Sequence, residues 1–260
     1  MAGTNVLGLW TFLLLVIAVS VAVAIAAVWL SDRLFGREDG QFTSSLSPFL
    51  TTVALVYGAL LGFTVVVAWE QFSSAEATVS HEASTLTTMY RQTVGMPQPE
   101  QRLLREAVRS YTASVSEEWD SQYEGDANDS ARSAITDMYR ILGHQGAVQA
   151  TSPLDGEFLK QVAELASDRN ARFLDAKPRI PGLLWGGLLF GGLLLISMLA
   201  MSRPVDRRVH VVLTSSVGVL LGLLLFIVFW LDRPFGRDLG VTPAPFTDAQ
   251  MTFDAIDEST

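Results

Sequence analysis

The side chains best suited to proton transfer or metal ligation are three histidines and the carboxylates near them. His81 stands beside Glu82, with Glu76 and Arg91 close by in sequence. A zinc-protease pattern would need a second histidine one helical turn on, but Thr85 and Leu86 occupy those positions. Adjacent residues also leave a helix on different faces, so His81 and Glu82 cannot act as one pair. His144 and His210 are isolated, and the chain has no cysteine, so thiolate metal sites, disulfides and cysteine nucleophiles are excluded. No glycine-rich phosphate loop follows a strand-like run. The residues therefore give no catalytic, cofactor-binding or metal-ligating set, and the chain is not expected to be an enzyme.

What surrounds these residues is more informative. Of 260 residues, 49% are hydrophobic, and most of these fall in four runs: Leu7–Leu30, Phe49–Trp69, Pro181–Met201 and Val209–Leu231. Their interiors carry no Asp, Glu, Lys or Arg, and His210 sits only at the edge of the last. A bilayer core about 30 Å thick needs roughly 20 apolar residues in a helix. Each run meets that length, so four membrane spans are expected. The first run is too long for a secretory signal, and no Lys or Arg precedes it.

The remaining sequence is polar. Residues 70–180 are long enough for a water-soluble domain, and their periodicity is helical. Phe72, Val79 and Leu86 repeat every seven residues, with Ala75, Ala83 and Tyr90 between them. No breaker separates this stripe from the second run, so one helix should continue from the span through about Val94, before Pro97 and Pro99. A second helix is expected over Glu100–Ser121, a third from Ser130 to Gly143, and a fourth starting at Ser152-Pro153 and ending before Pro178. The organisation is thus residues 1–69 with spans one and two, 70–180 as a helical soluble domain, 181–231 with spans three and four, and 232–260 as an acidic, partly disordered tail. The fold class is all-α integral membrane.

Helices in lipid associate through small residues that let backbones approach. Gly58 and Gly62 form such a pair in the second span, Gly182/Gly186 and Gly187/Gly191 in the third, Gly218/Gly222 in the fourth, and Ala18, Ala22 and Ala26 in the first. Hydroxyls are few: Thr51, Thr52, Tyr57 and Thr64 in the second span, Thr214, Ser215 and Ser216 in the fourth. With no charge at mid-span, an ion-coupled pump is disfavoured, whereas a pore lined by apolar and hydroxyl groups remains open. The net charge of −9 disfavours a nucleic-acid surface. Orientation is not set by charge. Arg33, Arg37, Arg203, Arg207 and Arg208 flank the short loops, and Arg169, Arg172, Lys177, Arg179, Arg233 and Arg237 lie on the opposite side.

Several stretches resemble the bacterial bestrophin-like family. They are GALLGFTVVVAWEQFSSAEATVSHEASTLTTMYR (Gly58–Arg91), the EEW ending at Trp119, RNARFLDAKPRIPGLLW ending at Trp185, and LDRPFG (Leu231–Gly236). The likeness covers most of the chain from Pro48 onward. It is distantly similar to bestrophins, which are pentameric anion channels with a pore-lining second span and a cytosolic helical segment. The resemblance implies that Thr51, Gly58, Gly62 and Thr64 approach a pore axis or a helix-packing surface. It implies structural ion pairs among Glu82, Arg91, Glu118 and Arg172. It marks Asp232, Arg233, Pro234, Phe235 and Gly236 as the motif by which span four leaves the membrane. It also implies a homo-oligomer in the cell membrane, with anions as partners besides lipid and with residues 70–180 in the cytoplasm. A bestrophin-type row of bulky apolar residues at a pore neck is not evident. Two function classes follow: an oligomeric anion channel, or a non-conducting membrane sensor or scaffold whose helical domain binds a protein partner.

Overall fold

The computed structural model describes residues 3–34, 41–122, 129–145, 152–202, 206–235 and 240–259. Among these residues there are helices and turns and no strand. The helices are α1 (Gly3–Leu34), α2 (Gln41–Gln92), α3 (Glu100–Gln122), α4 (Asp129–Gln145), α5 (Pro153–Asp175), α6 (Gly182–Met201), α7 (Arg207–Leu231) and α8 (Ala244–Glu258). Four of them, α1, α2, α6 and α7, are long and apolar enough to cross a membrane. The protein is an all-α integral membrane protein.

The chain forms two compact units. One holds Met1–Gln71 and Arg179–Asp232, the other Phe72–Pro178 and Arg233–Thr260. The helix α2 contributes to both. It is one element because nothing between Trp69 and Val79 breaks it, and it gives way at Thr93–Gly95 to a single 3-10 turn before Pro97.

In the first unit α1 packs on α7 and α6. Contact depends on two small residues of α7. A Cβ on Gly218 would lie 3.1 Å from the Ser20 carbonyl oxygen, and one on Gly222 would lie 2.5 Å from Ser20 Oγ. The buried face of α1 is Ala24, Val28 and Ser31. Ala18, Ala22 and Ala26, expected to serve packing within one chain or between chains, are exposed in the single chain. The face chosen is the one that brings Ser20 and Ala24 against the glycines, a pairing that lies in α7's sequence as much as in α1's. The span of α2 is seated on α6 by Tyr57. Its ring lies where a Cβ on Gly191 would be, 2.6 Å away, and its hydroxyl donates to the Leu188 carbonyl at 3.0 Å. Gly58, Gly62, Gly182, Gly186 and Gly187 have open space where a side chain would stand.

In the second unit α2 and α5 run antiparallel. The register is read from pairs: Thr78 with Asp175, His81 with Asp168, Glu82 with Arg172, and Gly95 with Leu154. The start of α5 is set by Ser152. Its hydroxyl accepts from Leu154 N, Asp155 Oδ2 accepts from Ser152 N at 2.9 Å, and Pro153 takes the first helical position. The core collects Val79, Leu86, Leu104, Val108, Met138, Phe158 and Leu165, all fully buried. The expected stop of the third helix at Gly143 falls two residues short, since α4 runs to Gln145. The larger correction concerns the tail. Expected to be partly disordered, it forms α8, whose Phe246, Ala249 and Phe253 are buried at helical spacing. Its acidic residues occupy the outer side, so the composition hid an amphipathic helix.

Candidate functional site

Two constellations stand out: a stripe on the α2 span, and a buried charge network in the second unit.

Thr51, Leu55, Gly58 and Gly62 recur along α2 at intervals of four, three and four, which places them on one face. All four are exposed. The Thr51 hydroxyl donates back to the Ser47 carbonyl at 3.0 Å. Thr64 is different. It lies six residues, about 240° of rotation, from Gly58, is buried within the chain, and donates to the Leu60 carbonyl at 2.8 Å. The stripe is thus an unfilled, nearly smooth helix face with a hydroxyl at one end.

The network is centred on Arg172, which has no exposed surface. Its Nε donates to Glu82 Oε2 at 2.7 Å, and its Nη2 donates to Glu118 Oε1 at 2.9 Å. Arg169 Nη2 reaches the other Glu118 oxygen at 3.2 Å. The Tyr111 hydroxyl completes Glu82 by donating to Oε1 at 2.6 Å. Two carboxylates and two guanidiniums from α2, α3 and α5 therefore balance in charge. Aromatic faces surround the central cation: Phe173 at 5.2 Å, Trp119 at 5.7 Å and Phe246 of α8 at 5.9 Å from the guanidinium carbon. Burial pushes the Glu82 carboxyl above its usual range, against the pull of the Arg172 charge and the Tyr111 hydroxyl. Burial is the largest single influence on Arg172 and works against its charge, but Glu82, Tyr111 and Glu118 together outweigh it and hold the guanidinium ionised.

Of the four residues expected to pair, Glu82, Glu118 and Arg172 meet here, while Arg91 is exposed and takes no part. Tyr111 and Arg169 were not anticipated as members. Tyr111 is buried on the same face of α3 as Leu104, Val108 and Val115, and its polar tip is the only signal in its residue type. Arg169 stands three residues before Arg172, the spacing that puts two side chains on one helix face.

The residues of the span-four exit motif have separate tasks. Asp232 is buried, and its Oδ1 accepts from the backbone nitrogens of Arg179 and Ile180, both at 3.0 Å. It thereby ties the end of α7 to the entry of α6. In the second unit the Pro234 carbonyl accepts from Val241 N at 2.7 Å, and Phe235 meets Trp119 edge-on at 5.6 Å. Arg233 is half-buried beside them, and Gly236 lies outside the described residues. Among the described residues no group of three or more His, Cys, Asp or Glu could hold a metal ion.

No curated protein matches the sequence significantly. Solved structures do match. A bacterial bestrophin homolog from Klebsiella pneumoniae is 15% identical over 94% of this chain and 97% of its own, with a TM-score of 0.69. A single-substitution variant of the Klebsiella pneumoniae homolog is 14% identical over 98% of this chain and 99% of its own, also with a TM-score of 0.69. At such identities the likeness is one of fold. The sequence itself matches the family model of the Bestrophin-like domain over residues 18–246. That match spans α2, the buried network and the exit motif, and the chain belongs to the Bestrophin-like family.

Proposed function

We propose that this protein is an oligomeric anion channel of the cell membrane. It crosses the bilayer four times, with the unit built on α3, α4 and α5 in the cytoplasm and the Thr51, Gly58 and Gly62 face of α2 turned to a shared axis. Family membership supports this reading. The observation that carries it is the state of the α2 span: its stripe is exposed in the single chain, and a Cβ at Gly58 or Gly62 would meet nothing within 4 Å. An uncharged helix face with no side chain at Gly58 and Gly62 can border a water path through which an ion passes without tight binding. Thr64, buried inside the chain, has no part in that path.

The network at Arg172 serves this function indirectly. It locks the length of α2 that follows the span to α3 and α5. The test is reconstitution of the purified protein in liposomes, with its oligomeric state measured in detergent. A ring-sized oligomer with chloride flux is expected. Gly62→Leu should reduce flux about tenfold without lowering the melting temperature, because the site is open within the chain. A strict monomer with no flux overturns the channel, and capture of a protein partner by that monomer would establish a scaffold instead.

A further inference from the structure

The second unit carries a groove of about 900 Å³ beside α3, within the size range of small-molecule sites. Arg102, Arg105 and Arg109 line it, together with Gln98, Gln101 and Ser110. Three arginines on one stripe of one helix repel one another, and a chain of net charge −9 has little cause to gather them.

Two of them converge on a single carboxylate. Arg105 Nη1 donates to Asp257 Oδ1 at 2.7 Å, and Arg109 Nη2 donates to Asp257 Oδ2 at 2.7 Å. The Tyr90 hydroxyl donates to the same Oδ2 at 2.6 Å. Three donors on one carboxylate, from α2 and α3, make an oxyanion seat. Arg109 also pairs with Asp254 at 2.8 Å. The seat retains unused capacity: Arg105 Nη2 is buried and has no acceptor. Next to it Arg102 is exposed; Glu106, one helical turn on, lines the same groove, so the three arginines face two lining carboxylates, Glu106 and Asp257. Arg102 is separated from Arg109 by two helical turns, about 10 Å. The Gln98 amide donates to Gln101 Oε1 at 2.7 Å, and both residues line the groove.

We propose that this groove binds a small molecule carrying two or more phosphate or carboxylate oxyanions, one held by Arg102 and another entering the seat that Asp257 fills. A solvated surface cation accounts for Arg102, and the tether to Asp257 for Arg109 and Tyr90, but neither accounts for the buried Arg105 Nη2 that has no acceptor. Because Asp257 belongs to α8, such a ligand competes with the last turn of that helix, and its binding loosens the helix's charged tether while the Phe246 and Phe253 contacts remain.

The probe is inorganic tripolyphosphate, titrated by calorimetry into the full-length protein in detergent at constant ionic strength. The wild type is expected to bind it. Arg102→Gln, which alters an exposed side chain and leaves the melting temperature unchanged, should weaken binding at least tenfold. Asp257→Asn should strengthen it several-fold by removing the competing charge. A second arm repeats the titration in nanodiscs of phosphatidylcholine or phosphatidylglycerol. Weaker tripolyphosphate binding in the phosphatidylglycerol discs, seen in the wild type and absent in Arg102→Gln, would identify a lipid headgroup as the source of the oxyanion. Equal binding in both discs would identify a soluble one. Absence of binding in all settings, or equal affinity for the wild type and Arg102→Gln, overturns the proposal.

Discussion

At the scale of single residues, Arg172 is the most consequential side chain outside the spans. It neutralises two carboxylates that have no access to water. Removing one member of a buried ion network leaves the rest uncompensated, which costs about 3–5 kcal/mol. Arg172→Met should therefore lower stability by that amount in thermal or denaturant unfolding. The double change Glu82→Gln and Arg172→Met should recover much of the loss, since one charge of each sign is removed and Glu118 keeps its pairing with Arg169. A second residue-scale prediction concerns pH. His81 Nδ1 lies 2.8 Å from Asp168 and its Nε2 lies 3.5 Å from Glu164. The hydrogen bond to Asp168 and that residue's charge raise the His81 pKa above its usual value. A raised folded-state value means that the contribution is complete below the ordinary histidine range. It is lost as pH rises through the higher folded value. Solvent screens this exposed pair, so the effect is small, about 1–2 °C in Tm. The wild type should lose that margin as pH rises above the ordinary histidine range, and His81→Gln should not. At this scale the sequence was legible where a motif marked the residues, as for Glu82, Glu118 and Arg172. It was not legible for Tyr111, because a residue on an apolar stripe does not disclose what its polar tip meets.

At the scale of elements, the starts of α3 and α5 were readable from their first residues, whereas Gly143 does not end α4 and Pro48 lies inside α2, which begins at Gln41. Which glycine in a span matters was not readable. The eight paired span glycines look alike in sequence, but only close approach gives one meaning. Gly218 faces the backbone of α1, and a Cβ there would lie 3.1 Å from the Ser20 carbonyl, an atom that cannot rotate away. Gly218→Ala should therefore cost about 1–3 kcal/mol by forcing α1 and α7 apart. Gly58→Ala should leave the melting temperature of the monomeric chain unchanged or slightly raised, since Ala favours the helix and the site is open. Comparing the two by thermal unfolding in detergent separates packing within a chain from any role of the Gly58 face between chains. The helix α8 was missed for a related reason. Its Phe246 and Phe253 lie seven apart, but two prolines and a run of acids around them resemble an unfolded tail until the partner surface is known.

At the scale of the whole molecule, the second unit owes its cover to α8. Tyr90 stacks on Phe253 with ring centroids 4.3 Å apart, and Trp119 meets Phe246 at 6.0 Å. Deleting residues 243–260 would expose these rings and strip Arg172 of one aromatic wall. The shortened protein should melt at least about 5 °C lower, a loss of roughly 1–2 kcal/mol. Its α3 segment should also become sensitive to limited proteolysis. The four membrane-length helices were the clearest feature of the sequence, because a run without charge needs no partner to be recognised. The grouping of 233–260 with 72–178 was hidden, because it depends on which surfaces meet after the intervening spans have returned the chain.

That grouping has a consequence for how the protein is made. The second unit consists of two lengths of polypeptide separated by Arg179–Asp232, the stretch that contains α6 and α7. A ribosome must emit that stretch, and the translocon must accept it, before Phe246 exists to close over Arg172. At about 5–20 residues per second the interval lasts on the order of several seconds. Throughout it, the nascent α2, α3 and α5 present their aromatic docking surface unsealed, so maturation of the water-facing unit is timed by insertion of the last two spans.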